Sequence, residues 1–375
     1  VFKLGLRSAI CVARISAWLS KTILKKSGET ISGRVLLSLR PSAISELSKG
    51  KIVILVSGTN GKTSTTRFLR KIVEQLGSVT SSNSGSNLSW GIASSLMKPT
   101  TFAVLEIDEL HLPAVIDQTK PKVVLLLNLT RDQLHRMHEV KRVAQRWKTA
   151  VESSPETTFV VDVDDPFVNY ATTNAKRAVR ISFGGRSHPD GAVCPACGFY
   201  LQWIDYKYKC QCGLTNAMAD RIYTATNAGE RNAVLANIAG GLVAAPWIQP
   251  DIGELERTIV KTVNGVRAEI RLTKNPASWT EALTSINGES VILILNSRQV
   301  DGIDTSWLFD ISFKILQGRT IVVTGERALD LQYRLHVEGI ESTRVPNFAT
   351  AISQFEPGTS VQTLAAYTAF FELSR

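Results

Sequence analysis

Short apolar runs punctuate the chain, and most of them end in polar residues or glycine. Residues 51–56 (Lys-Ile-Val-Ile-Leu-Val) lead into a polar, glycine-bearing stretch at 57–66, after which 68–73 resume with helical apolar spacing. The pattern predicts strand, tight loop, amphipathic helix. Further strands are expected at 102–109, 122–128 and 158–162, with helices ending near Met97 and spanning about 139–152. Strands separated by helices of that length predict a parallel sheet covered on both faces, with ligands at the C-terminal strand edges. After Pro246 and Pro250 a second alternation begins. It predicts strands near 270–273, 291–296, 320–324 and 360–365, and helices near 277–286, 328–337, 349–355 and 366–373. The fold class is therefore α/β: a P-loop central domain over 51–245, then a smaller Rossmann-like domain over 246–375. Residues 1–50 form a basic helical segment packed on or near the central domain.

The loop at 57–66 reads Ser-Gly-Thr-Asn-Gly-Lys-Thr-Ser-Thr-Thr. Between a strand and a helix, Gly58 and Gly61 free the backbone N–H groups to wrap a phosphate chain. Lys62 would reach the terminal phosphates and the Thr63 hydroxyl would bind Mg²⁺. A glycine turn that happens to carry a lysine is the bland alternative. The strand at 102–109 ends in Glu106, Asp108 and Glu109. Carboxylates there suit Mg²⁺ coordination beside a P-loop, whereas an exposed acidic turn would serve no chemistry.

Composition changes this picture little: 44% hydrophobic and 20% charged residues are ordinary for a globular protein of 375 residues. The net charge of +10 points to an acidic partner without choosing among nucleotide, nucleic acid and anionic membrane. Residues 1–27 are apolar but broken by Lys3, Arg7, Arg14, Lys21, Lys25 and Lys26, which argues against a secretory signal and for a basic amphipathic helix. Its apolar side would dock on the neighbouring domain or touch a membrane surface. Cys11 is expected to be a small buried apolar residue. The other cysteines, Cys194, Cys197, Cys210 and Cys212, form two knuckles in an insertion at about 190–216. Four thiolates in that spacing predict a closed, structural zinc ribbon, although the second knuckle is Cys-x-Cys.

The wording Gly-Thr-Asn-Gly-Lys-Thr at 58–63 resembles the ATP loop of the Mur ligases and folylpolyglutamate synthases. Leu105-Glu106 and the stretch 128–133 (Asn-Leu-Thr-Arg-Asp-Gln) resemble later motifs of the Mur central domain. Gln133 and the cysteine insertion are features of its MurT branch, as are 274–277, the 301–310 loop (Asp-Gly-Ile-Asp-Thr-Ser-Trp-Leu-Phe-Asp) and 364–369. The chain departs from that branch at His135 and from the wider Mur pattern at Leu235; Asn232 keeps the first Asn of the helix closing the central domain. The resemblance implies ATP-dependent amidation of the α-carboxyl of D-glutamate in the lipid II stem peptide, through an acyl phosphate. Ammonia would come from a GatD-like class I glutamine amidotransferase, because this chain has no evident glutaminase nucleophile. The cofactors implied are ATP, Mg²⁺ and Zn²⁺. The nucleotide would meet Gly58, Thr59, Asn60, Gly61, Lys62, Thr63, Ser64, Asn87, Asn128 and Arg267. Mg²⁺ would meet Thr63 and Glu106, and catalysis would fall to Lys62, Glu106 and Asp304. Asp304 would complete the partner's Cys–His triad, unless it only caps the short helix that follows. No nucleic acid is expected, and the location is cytoplasmic, with peripheral contact at the inner face of the membrane. The alternatives are an amino-acid-adding ligase of the Mur or folylpolyglutamate synthase type, and a nucleic-acid-dependent ATPase with a zinc ribbon.

Overall fold

The computed structural model describes residues 4–24, 28–82, 87–132, 140–251, 253, 255, 257–299 and 301–375. Its contacts divide the chain into two units, one of Val1–Leu129 with Val140–Pro250, the other of Thr130–Glu139 with Asp251–Arg375.

The first unit is built on β1 (Ile52–Ser57), β2 (Val79–Ser81), β3 (Phe102–Glu106), β4 (Val123–Leu126), β5 (Thr158–Asp162), β6 (Ala178–Ser182) and β9 (Arg221–Ile222). They form one sheet in the order β2-β3-β1-β4-β5-β6-β9, and each pairing is parallel. The central strands are runs of Val, Ile and Leu because both of their faces are covered. Helix α4 (Lys62–Val73) follows β1 and buries Phe68, Leu69, Ile72 and Val73. Between β6 and β9 the chain makes a hairpin of β7 (Gln202–Ile204) and β8 (Lys207–Lys209), which carries the cysteine insertion.

The basic N-terminal stretch forms α1 (Leu6–Leu24) as expected, and a second helix, α2 (Gly28–Leu39), folds back on it. Cys11 corrects the sequence reading, since it is exposed. Ala9 and Ala13 take the buried side of α1, and a residue two positions from each points about 200° away. Helix α2 lies tightly on α5 (Ser89–Leu96): a Cβ on Gly33 would come 1.8 Å from the Trp90 carbonyl oxygen. The Ser32 and Ser94 hydroxyls meet at 3.0 Å, and the Arg34 guanidinium sits 4.6 Å from the Trp90 ring centre.

The second unit has a mixed sheet of β10 (Thr258–Val263), β11 (Val266–Leu272), β12 (Ser290–Ile294), β13 (Thr320–Thr324), β14 (Thr343–Arg344) and β15 (Ser360–Ala365). The order is β10-β11-β15-β12-β13-β14, with only β10 antiparallel to its neighbour. Alternation along β12 feeds two cores: Val291 and Leu293 join Trp279 and Phe313, while Ile292 and Ile294 join Ile270 and Phe370. Asn275 opens the helix Pro276–Thr284 with a capping box closed by Ser278.

Gly33→Ala tests the helix contact. It should cost about 1–3 kcal/mol, because the added methyl group meets backbone that cannot swing aside. A melting temperature equal to that of the wild type would show that α2 is not held in this position.

Candidate nucleotide site and metal centre

The loop after β1 lies where the strand order reverses, with β3 on one side and β4 on the other. Register pairs Val56 with Glu106 and Ser57 with Leu126, the last residues of β3 and β4, so Gly58 onward clears the sheet level with the ends of both neighbours. Gly58 has φ +144° and Gly61 φ +84°. Gly61 is the left-handed residue that opens α4, and a Cβ there would come 2.3 Å from Asn232 Nδ2. The loop is also tied to β4. Asn60 N donates to Asn128 Oδ1 at 2.9 Å, Asn128 Nδ2 donates to Asn60 O at 3.0 Å, and Thr59 N donates to Asn128 O at 2.9 Å. A fixed loop of this shape at a helix N-terminus presents backbone N–H groups to an anion.

Lys62 is buried. Its ammonium donates to Gly58 O at 2.5 Å and Thr59 O at 3.3 Å, and pairs with Glu109 Oε1 at 3.0 Å. Glu106 and Glu109 are only 4% and 3% exposed, which rules out an exposed acidic turn. Asn87 Nδ2 lies 3.5 Å from Glu106 Oε1, and Glu106 N donates to Ser82 Oγ at 2.9 Å. Thr63 stands half-buried in the first turn of α4, with Ser64 buried beside it. Of the residues picked from the sequence, the structure therefore gathers Gly58–Ser64, Asn87, Glu106 and Asn128 at one sheet edge. Thr63, Glu106 and water would be the hard oxygen donors that Mg²⁺ favours.

Sequence reasoning missed Asp165. One of its carboxylate oxygens accepts from Phe167 N and Val168 N at the start of helix Pro166–Thr172. The other accepts from Leu129 N at 2.9 Å and lies 3.2 Å from His188 Nε2. Burial works against its charge, but His188 and Arg186 outweigh it and hold the carboxyl below its ordinary range. Asp165 thus fixes the backbone just beyond Asn128. Asp before Pro is a helix-start signal, but its partners are far off in sequence.

The four cysteines converge: their sulfur atoms all lie within 4.8 Å of one another, with Cys194–Cys212 at 3.7 Å and Cys197–Cys210 at 3.4 Å. Sulfurs about 2.3 Å from a tetrahedral zinc are roughly 3.8 Å apart, so the donor set fits that ion. Each knuckle closes on a left-handed glycine, Gly198 at φ +85° and Gly213 at φ +93°. Burial pushes the Cys194 thiol up to about 12, whereas the Phe199 backbone helps bring Cys197 down to about 7. The ribbon is anchored through Tyr208, whose hydroxyl donates to Val163 O at 3.1 Å and accepts from Asn169 Nδ2 at 2.7 Å.

In the second unit Asp301 is buried and ties its loop to the start of helix Tyr367–Leu373. It accepts from Thr368 N and Thr368 Oγ1, both at 2.7 Å, and from Arg298 N at 3.0 Å. Asp304 is exposed, and its Oδ1 accepts from Ser306 N at 2.8 Å, at the mouth of a 3₁₀ turn, Ser306–Asp310. Around it Arg131 pairs with Asp310 at 3.1 Å and Lys274 with Asp132 at 2.9 Å. Arg267 lies on β11 with its side chain 52% exposed, 3.8 Å from Glu269. Gln133 and His135 lie outside the described residues.

The profile of the Mur ligase middle domain matches residues 56–196, and that of the MurT ligase C-terminal domain matches 272–370. The chain belongs to the Mur ligase family. Two relatives are similar over almost their whole length. The lipid II isoglutaminyl synthase (glutamine-hydrolyzing) subunit MurT of Staphylococcus aureus (strain N315) is 28% identical, over 89% of this chain and 88% of that one. The subunit of the same description from Streptococcus pneumoniae (strain ATCC BAA-255 / R6) is 26% identical, over 92% and 91%. In fold, the chain is similar to a pseudomurein peptide ligase type C from Methanothermus fervidus, with a TM-score of 0.63 at 16% identity, over 91% of this chain and 84% of that one. An ATP-dependent ligase is what this Mur ligase site is built for, with the phosphate loop, lysine and acid on one sheet edge.

Elemental analysis should find one zinc per chain on the cysteine cluster. Cys197→Ser should lose the ion and lower the melting temperature, because metal-binding energy in so small a ribbon is largely folding energy. Full zinc and unchanged stability in that variant would refute the closed site.

Proposed function

We propose that this chain is the ligase subunit of a glutamine-dependent amidating enzyme of peptidoglycan synthesis. It would convert the α-carboxyl of D-glutamate in the lipid II stem peptide to the amide of D-isoglutamine. The observation that carries the reading is the buried Lys62 on a phosphate loop locked to Asn128, in a chain similar to MurT subunits across nearly its full length. Supporting the assignment to that branch are the cysteine ribbon and the Asp301–Asp310 loop.

A carboxylate is a poor electrophile until one of its oxygens becomes a phosphate leaving group. The chain's work is then positioning and charge neutralisation. The N–H groups of Gly58–Ser64 would cradle the nucleotide phosphates. Lys62 would leave Glu109 for the phosphoryl oxygens, a short move for a flexible ammonium already at the loop. Glu106, oriented by Asn87, would with Thr63 hold Mg²⁺, which when bound offsets charge on the transferring phosphoryl group. Arg267 would add a contact to the nucleotide. Ammonia would then attack the acyl phosphate carbon and phosphate would leave. A GatD-like class I glutamine amidotransferase would supply the ammonia, with Asp304 orienting the partner's catalytic His. We place the enzyme peripherally at the inner face of the membrane, where a lipid-linked substrate is found.

Lys62→Ala should lower ATP-dependent amidation by about a hundredfold or more while the protein stays folded. Near-normal turnover would mean that the nucleotide binds elsewhere. Asp304 has a second reading, favoured by its bond to Ser306 N: it simply caps the 3₁₀ turn. Asp304→Asn keeps a capping oxygen. It should abolish glutamine-dependent amidation in the complex and spare amidation with free ammonium. Normal glutamine-dependent rates in Asp304→Asn, with only lowered stability in Asp304→Ala, would leave Asp304 as a cap and nothing more.

A further inference from the structure

Helix α1 buries one side and leaves a contiguous apolar side bare. Ala9, Ala13 and Ser20 are buried, whereas Val12, Ile15, Trp18 and Leu19 are 42%, 53%, 64% and 41% exposed. At about 100° per residue those four fall within an arc of roughly 120° opposite the buried residues. Leu4, just before the helix, is 37% exposed. Arg7 and Arg14 are exposed along one edge of the arc, and Arg14 also donates to Met97 O at 3.3 Å.

Single exposed apolar residues are ordinary, but a stripe along several turns of one helix is not. The charge pattern selects its occupant. Residues 1–28 contain Lys3, Arg7, Arg14, Lys21, Lys25 and Lys26 and no Asp or Glu, in a chain of net charge +10. A helix with an apolar stripe, a tryptophan within it and only basic charge beside it suits a bilayer surface with anionic headgroups. Indole favours that boundary because its ring is apolar and its N–H needs a polar partner. Among the described residues no helix is long and apolar enough to cross a membrane.

We propose that the outer face of α1 is a membrane-docking surface for anionic phospholipid, with Ile15 and Trp18 entering the headgroup boundary and Arg7 and Arg14 on the phosphates. The inference deepens the functional reading above and rests on it for its purpose, which is to hold the ligase beside a lipid-linked substrate. Binding itself needs no ATP turnover.

Co-sedimentation of the full chain with vesicles tests it. The protein should pellet with vesicles of equal parts phosphatidylcholine and phosphatidylglycerol, release as salt rises, and stay in solution with phosphatidylcholine alone. The double variant I15S/W18S should partition at least about tenfold less, with its melting temperature and ATP turnover unchanged. Arg7→Glu, a rim substitution that leaves the helix intact, should lose about fivefold or more, since one basic residue near an anionic surface is worth roughly that factor. Failure of the wild type to bind phosphatidylglycerol vesicles would overturn the proposal, as would equal binding by I15S/W18S and Arg7→Glu. So would a double variant that loses self-association or co-elution with a glutaminase subunit but still binds vesicles, because the face would then belong to a protein. Intact amidation of a water-soluble stem-peptide substrate alongside absent vesicle binding would remove the docking surface and leave the ligase reading standing.

Discussion

One buried ammonium group sets the terms for the C-terminal strand edge of the first unit. A lysine out of water is costly by several kcal/mol unless its charge and its three donors are met. Lys62 is met by two loop carbonyls and Glu109, so the loop must curl around it and the acid must stand beneath it. Glu109 is held in turn, its backbone carbonyl accepting from Trp147 Nε1 at 2.9 Å within the core of the helical layer. The glycines follow from the same constraint. A loop tight enough to surround an ammonium, and close enough to Asn128 and Asn232 to be fixed, has no room for Cβ at Gly58 or Gly61.

Around this centre the support is layered. Asn128 fixes Asn60, Asp165 fixes Leu129, and the cysteine insertion packs down through Tyr208 onto Val163, the residue after β5. The ribbon therefore shares a hydrogen-bonded frame with the strand ends that carry the site. Its small core of Leu201, Tyr208 and the two buried cysteines, Cys194 and Cys210, is too slight to hold a fold unaided, which is the usual reason for a structural metal.

How much of this was legible in the sequence depended on the range of the signal. The central strands were readable because double-sided burial demands unbroken Val, Ile and Leu, and because each run gives way to polar residues or glycine. β10 was not: it is a half-exposed edge strand, and its alternation is masked by Lys261 and the Thr residues. Helix α2 falls within the helical segment expected over 1–50, but its bounds were not legible, since its Gly and Ser residues are poor helix formers and it is held by close packing on α5. Lys62, Glu106 and the four cysteines stand out by type and spacing, and Asn128 only through the resemblance of its stretch to the Mur central domain. The pairing of Lys62 with Glu109, the contact of Gly61 with Asn232 and the reach of Asp165 depend on strand order, which no local pattern encodes. Cys11 is exposed because its place on the helix, two residues from Ala9 and from Ala13, outweighs its residue type.

The central claim is that this phosphate loop activates a carboxylate for attack by ammonia. Its most direct test labels the α-carboxyl of the D-glutamate residue with heavy oxygen and follows the label through one turnover with ATP and ammonium. Activation as an acyl phosphate requires that one labelled oxygen leave with the inorganic phosphate. Amide formed with unlabelled phosphate, or ATP turnover without amide, would contradict the account.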